Sequence, residues 1–293
     1  MLERVDRMLL AVRDRARATD TFTRLLGAQW LRETSSDHLN ARGAVLALGE
    51  SELELWEPSA PGLVSSRIEH HGEGLMFAGY ASGALEALAQ RIDQRGVGMT
   101  RADGRLYLPA TSTFGFPMVI SALRPQPRVA GPISYFYEAT NALSTDWRVV
   151  AARYADLFGL DASRFSPIAS ERWGYEGTLT LFDPAVRLDR IELSQTFANQ
   201  PGAMRRFVDK RGGDSLYMCF AEAHDLDALR ERLLAAGATL TARGGAIATE
   251  RDTLHVHPRD LHGMLLGVSR TGFAWTWSGQ PERVPPLPQV NAS

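Results

Sequence analysis

The chain repeats one pattern four times. Apolar runs at 5–12, 74–81, 133–139 and 216–223 each read as a buried strand. Each leads into a short Ala/Leu/Arg-rich stretch of helical period, and each of those into further strands. Units of this kind cannot bury their apolar faces alone, so they must stack against one another. The repeat therefore predicts an α+β protein, with any site on the shared concave face of its sheets.

The first unit spans 5–58. Its first strand runs to Asp14, and Ala16, Ala18, Phe22, Leu25 and Leu26 then form a helical stripe closed by Gly27. Strands follow over 44–48 and 53–56, joined by a tight turn at Gly49-Glu50. The second unit, 74–121, has a helix through Leu85, Leu88, Ala89 and Ile92 and strands over 105–108 and 116–120. Arg124-Pro125-Gln126-Pro127 reads as a linker, which sets the expected domains at 1–126 and 127–293. Units at 132–195 and 214–269 fill the second domain. Their helices run through Trp147, Val150, Ala151, Tyr154, Leu157 and Phe158 to Gly159, and through Leu226, Leu229, Leu233 and Leu234 to Gly237. Phe273, Trp275 and Trp277 should pack on the body. Beyond Ser278 a proline-rich tail (Pro281, Pro285, Pro286, Pro288) should be extended.

Composition removes several classes of function. A net charge of −2 gives no electrostatic case for nucleic acid or an anionic membrane. No apolar run approaches the roughly 20 residues that span a bilayer. The charged start, Met1-Leu2-Glu3-Arg4-Val5-Asp6, enters a strand directly and predicts no signal peptide. The single cysteine, Cys219, excludes an intrachain disulfide and suits a reducing cytoplasm; it should be a buried apolar thiol. Lys210 is the only lysine and lies in a polar stretch that reads as a solvated loop, so Schiff-base chemistry is not expected.

Four strand–helix–strand–strand–strand units, paired two and two, resemble the vicinal oxygen chelate superfamily of glyoxalase I, methylmalonyl-CoA epimerase, extradiol dioxygenases and bleomycin-resistance proteins. The local signatures are the 5–14 strand, the helix exits Leu25-Leu26-Gly27 and Leu157-Phe158-Gly159, Gly72-Glu73-Gly74-Leu75, and the closing His257-Pro258-Arg259-Asp260-Leu261-His262-Gly263. The resemblance implies two tandem domains of U-shaped mixed sheet, helices outside, each able to close around a small molecule. It also implies a divalent metal held from four slots per domain. In this chain those slots read Arg7, Glu54, Phe77 and Val119, then Tyr135, Glu192, Met218 and Gly267. One carboxylate per domain cannot hold a catalytic metal, so no metal and no other cofactor is expected.

What remains points to the second domain. Tyr135, facing the cavity across from Glu192, offers a phenol and a carboxylate for acid–base catalysis or for plain ligand recognition. Tyr137, Met218 and Phe220 should wall the cavity, Gly267 should leave room in it, and Trp173 and Tyr175 should either rim it or be ordinary strand-edge aromatics. Arg7 should pair with Glu54 in the first domain, or else bind a substrate anion. His255 and His257 sit two apart on a strand. Either both line the site, or His257 braces its turn while His255 faces outward. His70 and His71 read as loop residues at the surface. Glu138 is anomalous, because alternation from Tyr135 turns it toward the helix layer; it requires a bulge or a partner there. The expected function is binding of a small, largely apolar or aromatic molecule, by a metal-independent lyase or isomerase. The alternatives are a sequestering protein and a metal-dependent dioxygenase or epimerase with displaced ligands. The expected partners are the small molecule and at most a second copy of the chain.

Overall fold

Three aspartates start helices where the repeat calls for them. Asp14, Asp146 and Asp225 each accept a backbone N–H of the first turn from Arg17, Arg148 and Ala228. Gly27 and Gly159 end the first helix of each domain at φ 69° and 64°, the left-handed conformation a glycine adopts without strain. These stops fit a computed structural model that describes residues 1–125, 128–182, 187–200, 202–242 and 251–287.

The N-terminal half comprises β1 (Arg4–Ala11), α1 (Arg15–Leu26), β2 (Gln29–Ser36), β3 (Ala41–Leu48), β4 (Ser51–Pro58), α2 (Leu63–His71), β5 (Gly74–Ser82), α3 (Leu85–Gln94), β6 (Thr100–Ala102), β7 (Arg105–Leu108) and β8 (Met118–Ala122). The C-terminal half repeats it. There β9 (Ile133–Leu143), α4 (Trp147–Phe158), β10 (Ser166–Ser170), β11 (Tyr175–Leu181) and β12 (Arg190–Thr196) are followed by α5 (Ala203–Arg211). Then come β13 (Ser215–Ala223), α6 (Leu226–Ala235), β14 (Leu240–Ala242), β15 (Thr253–Val256) and β16 (Leu266–Arg270). Each half is one eight-stranded mixed sheet with the same order, β2-β3-β4-β1-β5-β8-β7-β6 and β10-β11-β12-β9-β13-β16-β15-β14. The expected α+β tandem architecture is thus present, while the junction at 126–127 lies outside the described residues.

One face of each sheet joins a single core. Met8, Leu10, Phe22 and Ile92 of the first half belong to the same buried cluster as Phe136, Tyr154, Leu229 and Val268 of the second. Backbone ties stitch the halves as well: Val5 N–H donates to Asp189 Oδ1 (2.7 Å), and Glu50 N–H to the Ser134 carbonyl (2.7 Å). Among the described residues no helix is long and apolar enough to cross a membrane.

The structure corrects the element list in three ways. β1 stops at Ala11, leaving Asp14 free to cap α1. A strand after each first helix, β2, β6, β10 and β14, was not legible; all four are sheet edges. Finally, His70 and His71 close a helix, α2, and Lys210 lies on another, α5, not in loops; all three remain exposed. These two helices lie over the inner faces. Val64 and Ile68 of α2 pack with Leu9, Trp56 and Phe77. Met204 and Val208 of α5 pack with Ala142 and Tyr175.

Candidate functional site

On the inner face of the N-terminal sheet, the strand register sets Arg7 opposite Glu52 on β4 and Gly79 on β5. A bulge between Val5 and Arg7 brings Asp6 to the same guanidinium. Arg7 donates to Asp6 (2.7 Å), Glu54 (2.8 Å), Glu52 (3.2 Å) and Ser121 (3.2 Å). Arg105 grips Glu54 through two hydrogen bonds of 2.8 and 3.0 Å, and the Trp56 indole donates to it at 3.0 Å. Burial alone would raise the Glu54 carboxyl, but Arg105 and Arg7 outweigh it and hold it down to about 2. The expected Arg7–Glu54 pair therefore exists, inside a larger network. With three carboxylates on its guanidinium, Arg7 is committed to the fold and not to a substrate anion. A Cβ at position 79 would lie 2.0 Å from Arg7 Cγ, so the arginine stem fills that space. Leu9, Phe77, Tyr107 and Val119 close the remainder with hydrocarbon.

The C-terminal sheet carries the same pair with its charges exchanged. Glu138 lies opposite Arg190, as Arg7 lies opposite Glu52, and the two side chains meet at 2.6 Å, 2% and 1% exposed. The Glu138 anomaly is thereby resolved by a bulge. Phe136 and Glu138 are paired with adjacent residues of β13, which leaves Tyr137 as the extra residue and turns Glu138 inward.

The strand register parts the expected catalytic pair. Glu192 stands opposite Thr140, whereas Tyr135 stands opposite Glu222. Tyr135 and Thr140 are separated by roughly 16 Å along the strand at about 3.3 Å per residue, so Tyr135 and Glu192 are not brought together. Tyr135 instead shares a hydrogen bond with Glu222 beneath the Arg187 guanidinium, which sits 3.8 Å from its ring; burial, then Glu222, pushes the phenol well above its usual range. Glu192 accepts from Ser194 Oγ (2.5 Å) and Thr140 Oγ1 (3.3 Å). The phenol that feels its charge is Tyr217, pushed up to about 12 by burial and by Glu192, with Arg206 acting in the opposite direction. A second bulge, between Leu216 and Met218, accounts for Tyr217, and nothing in the apolar run 216–223 signals it.

The other expected wall residues divide. Tyr137, Met218 and Phe220 do line the inner face, but Ala274 and Trp275 of the C-terminal segment pack directly on them. Gly267 leaves no void, since a Cβ there would lie 2.2 Å from the Phe220 ring. His255 is turned inward and meets Phe220 edge-to-face at 5.5 Å, contrary to the outward alternative. His257 accepts the Arg259 N–H (3.2 Å) and braces its turn. Trp173 and Tyr175 pack beneath α5 with Met204 and Val208. Cys219 is a buried free thiol whose pKa is driven up by burial. Between α5 and the C-terminal segment, half-buried Tyr217, Leu265 and Trp277 pack against the cluster of Met218 and Phe220, His255 meets the Phe220 ring, and the nearly buried Glu192 acts on Tyr217. Tyr217 packs against the residues under both covers, so this strip lies between them.

The residues do not fit the family's metal. Leu9, Glu54 and Phe77 share one row of the first sheet, Thr140, Glu192 and Met218 the matching row of the second, and neither offers the imidazole and carboxylate donors a divalent ion needs. Among the described residues no three His, Cys, Asp or Glu side chains are grouped to hold a metal ion.

Residues 6–113 match the Glyoxalase/Bleomycin resistance protein/Dioxygenase superfamily. No curated protein matches the sequence. The fold is similar to that of a mutant of 4-hydroxymandelate synthase from Streptomyces coelicolor, with 16% identity, a TM-score of 0.75, and coverage of 92% of this chain and 93% of that one. A xylose isomerase-like TIM barrel/4-hydroxyphenylpyruvate dioxygenase fusion protein matches 92% of this chain with 49% of its own, at 12% identity and a TM-score of 0.65. Methylmalonyl-CoA epimerase from Mycobacterium tuberculosis matches 49% of this chain with 92% of its own, at 22% identity and a TM-score of 0.42. The sequence match to this superfamily thus lies in the first half of the chain, residues 6–113, and the fold match extends over both halves.

Proposed function

We propose that the C-terminal domain binds a small, largely apolar or aromatic organic molecule on its inner face, between α5 and the C-terminal segment, without a metal. The observation that carries this reading is the contrast between the two faces. The first is sealed by hydrocarbon and the Arg7–Glu54–Arg105 network; the second leaves a half-buried aromatic strip around one carboxylate. Apolar walls with a few convergent polar groups are the ordinary composition of a ligand site. In this reading the chain divides at 126–127 into a structural domain and a binding domain.

A second reading places catalysis within the same site. Burial, then Glu192, raises the Tyr217 phenol to about 12, so a carboxylate that can act as a base stands near a phenol that holds its proton, the pair of groups a lyase or isomerase uses. Binding of small aromatic compounds, followed by Trp277 fluorescence and thermal shift, tests both readings. A ligand found this way should lose its quench in Trp277→Phe and bind roughly tenfold more weakly to Glu192→Gln. If turnover accompanies binding, Glu192→Gln should slow it by roughly 10²–10⁴. Binding that ignores both variants would overturn the site, and binding with no turnover in the parent would leave the sequestering function.

A further inference from the structure

The two domains are related helix by helix, and one pair of equivalent junctions differs in charge. Where α4 packs on α3, Asp156 collects three arginines: Arg95 at 2.7 Å, Arg153 at 3.4 Å and Arg91 at 3.8 Å. The equivalent junction is α1 on α6, since α1 aligns with α4 through Leu25-Leu26-Gly27 and Leu157-Phe158-Gly159. The backbone contact is the same in both. Arg91 Nε donates to the Asp156 carbonyl at 2.7 Å, and Arg232 Nε to the Arg24 carbonyl at 2.8 Å. The side chain is not, because Arg24 stands where Asp156 gathers its arginines.

Without that carboxylate the α1·α6 junction is an open cleft of about 400 Å³, into which Arg13, Arg17, Arg24 and Arg259 all project. Three acids also line it, each accepting from a backbone amide, and the four arginines exceed these carboxylates by one. Asp14 accepts from Arg17 N–H (2.9 Å), Glu73 from Arg13 N–H (2.6 Å) and Asp260 from Thr239 N–H (2.7 Å). Among the described residues, neither Arg13 nor Arg17 has an ion-pair partner for its guanidinium. Like charges gathered in a cleft raise the local potential for an anion, and guanidinium forks match phosphate and carboxylate oxygens.

We propose that this cleft, separate from the C-terminal inner face, binds a small multiply charged oxyanion, a phosphate ester or a polycarboxylate, through the guanidinium groups of Arg13, Arg17 and Arg24. Its volume suits a small metabolite. Isothermal titration and thermal shift of the full chain test this with inorganic phosphate, pyrophosphate and succinate, each against chloride at matched ionic strength. The phosphates and the dicarboxylate distinguish the two sources of the oxyanion. The parent should be stabilised by at least one of them. Arg24→Asp replaces a guanidinium of the cleft by a carboxylate, so it should weaken anion binding by about tenfold or more. Arg17→Gln, an exposed change that leaves the fold intact, should also weaken binding. Absence of an anion-specific response in the parent, or equal responses in the parent and Arg17→Gln, would overturn the proposal.

Discussion

Glu54 shows how a single side chain has been reassigned. In the superfamily's arrangement its position serves a metal, and here two guanidinium groups occupy it. An uncompensated charge left in that position would be expensive, so Glu54→Gln, which strands Arg105 and leaves Arg7 with Asp6 and Glu52, should cost about 3–5 kcal/mol in denaturant melts at pH 7. The same pairing sets an acid limit. The carboxyl lies near 2 in the fold against an ordinary value of 4.5, so its stabilisation is complete above 4.5 and is lost as pH falls toward 2. The loss amounts to about 3 kcal/mol. Glu54→Gln should flatten that part of the stability profile; an unchanged acid limb would mean that other carboxylates set it. The exchanged pair, Glu138–Arg190, stands at the counterpart of Arg7 and Glu52 in the second sheet, where the two charges have traded strands.

At the scale of elements, the C-terminal segment decides what the second sheet can bind. Residues 273–276 form a turn of 3-10 helix, and its Ala274 and Trp275 cover Tyr137 and Phe220. Behind them, Phe220 fills the space over Gly267, so the β13–β16 contact tolerates no side chain there. Gly267→Ala should therefore push the Phe220 ring toward His255 and Trp277, at a cost of about 1–3 kcal/mol from overpacking. Thermal melts together with near-ultraviolet circular dichroism of the aromatic cluster would check this. A variant as stable as the parent, with an unaltered aromatic spectrum, would show that Phe220 has room to move. The helices α2 and α5 play the matching role at the other end of each inner face.

Considered as a whole, the molecule has two sheets but one principal core. Because β1 and β9 run beside each other and the helix-side residues of both halves fall in one cluster, neither half can unfold without exposing the other. The full chain should thus unfold in a single calorimetric transition, with matching calorimetric and van't Hoff enthalpies. The separate halves should be insoluble or molten. Two resolved transitions, or a stable isolated half, would refute the shared core. This fusion also creates the α1·α6 junction, since its two helices come from opposite ends of the chain.

The fourfold repeat, the helix exits, the family resemblance and the Arg7–Glu54 pair were legible in the sequence, because each rests on local periodicity, on a glycine stop or on a charge that must find a partner. The edge strands were not: β2, with half its residues polar and exposed, lacks the alternation that a strand buried on one face would show. Nor was the composition of the candidate site. Single-residue bulges at Tyr137 and Tyr217 reset the facing of everything beyond them, moving Glu138 inward and bringing Tyr217 under the influence of Glu192, while the pairing of β9 with β12 sets Glu192 opposite Thr140 and far from Tyr135. Alternation carries no mark of an inserted residue, and only pairing with the neighbouring strand fixes where one falls.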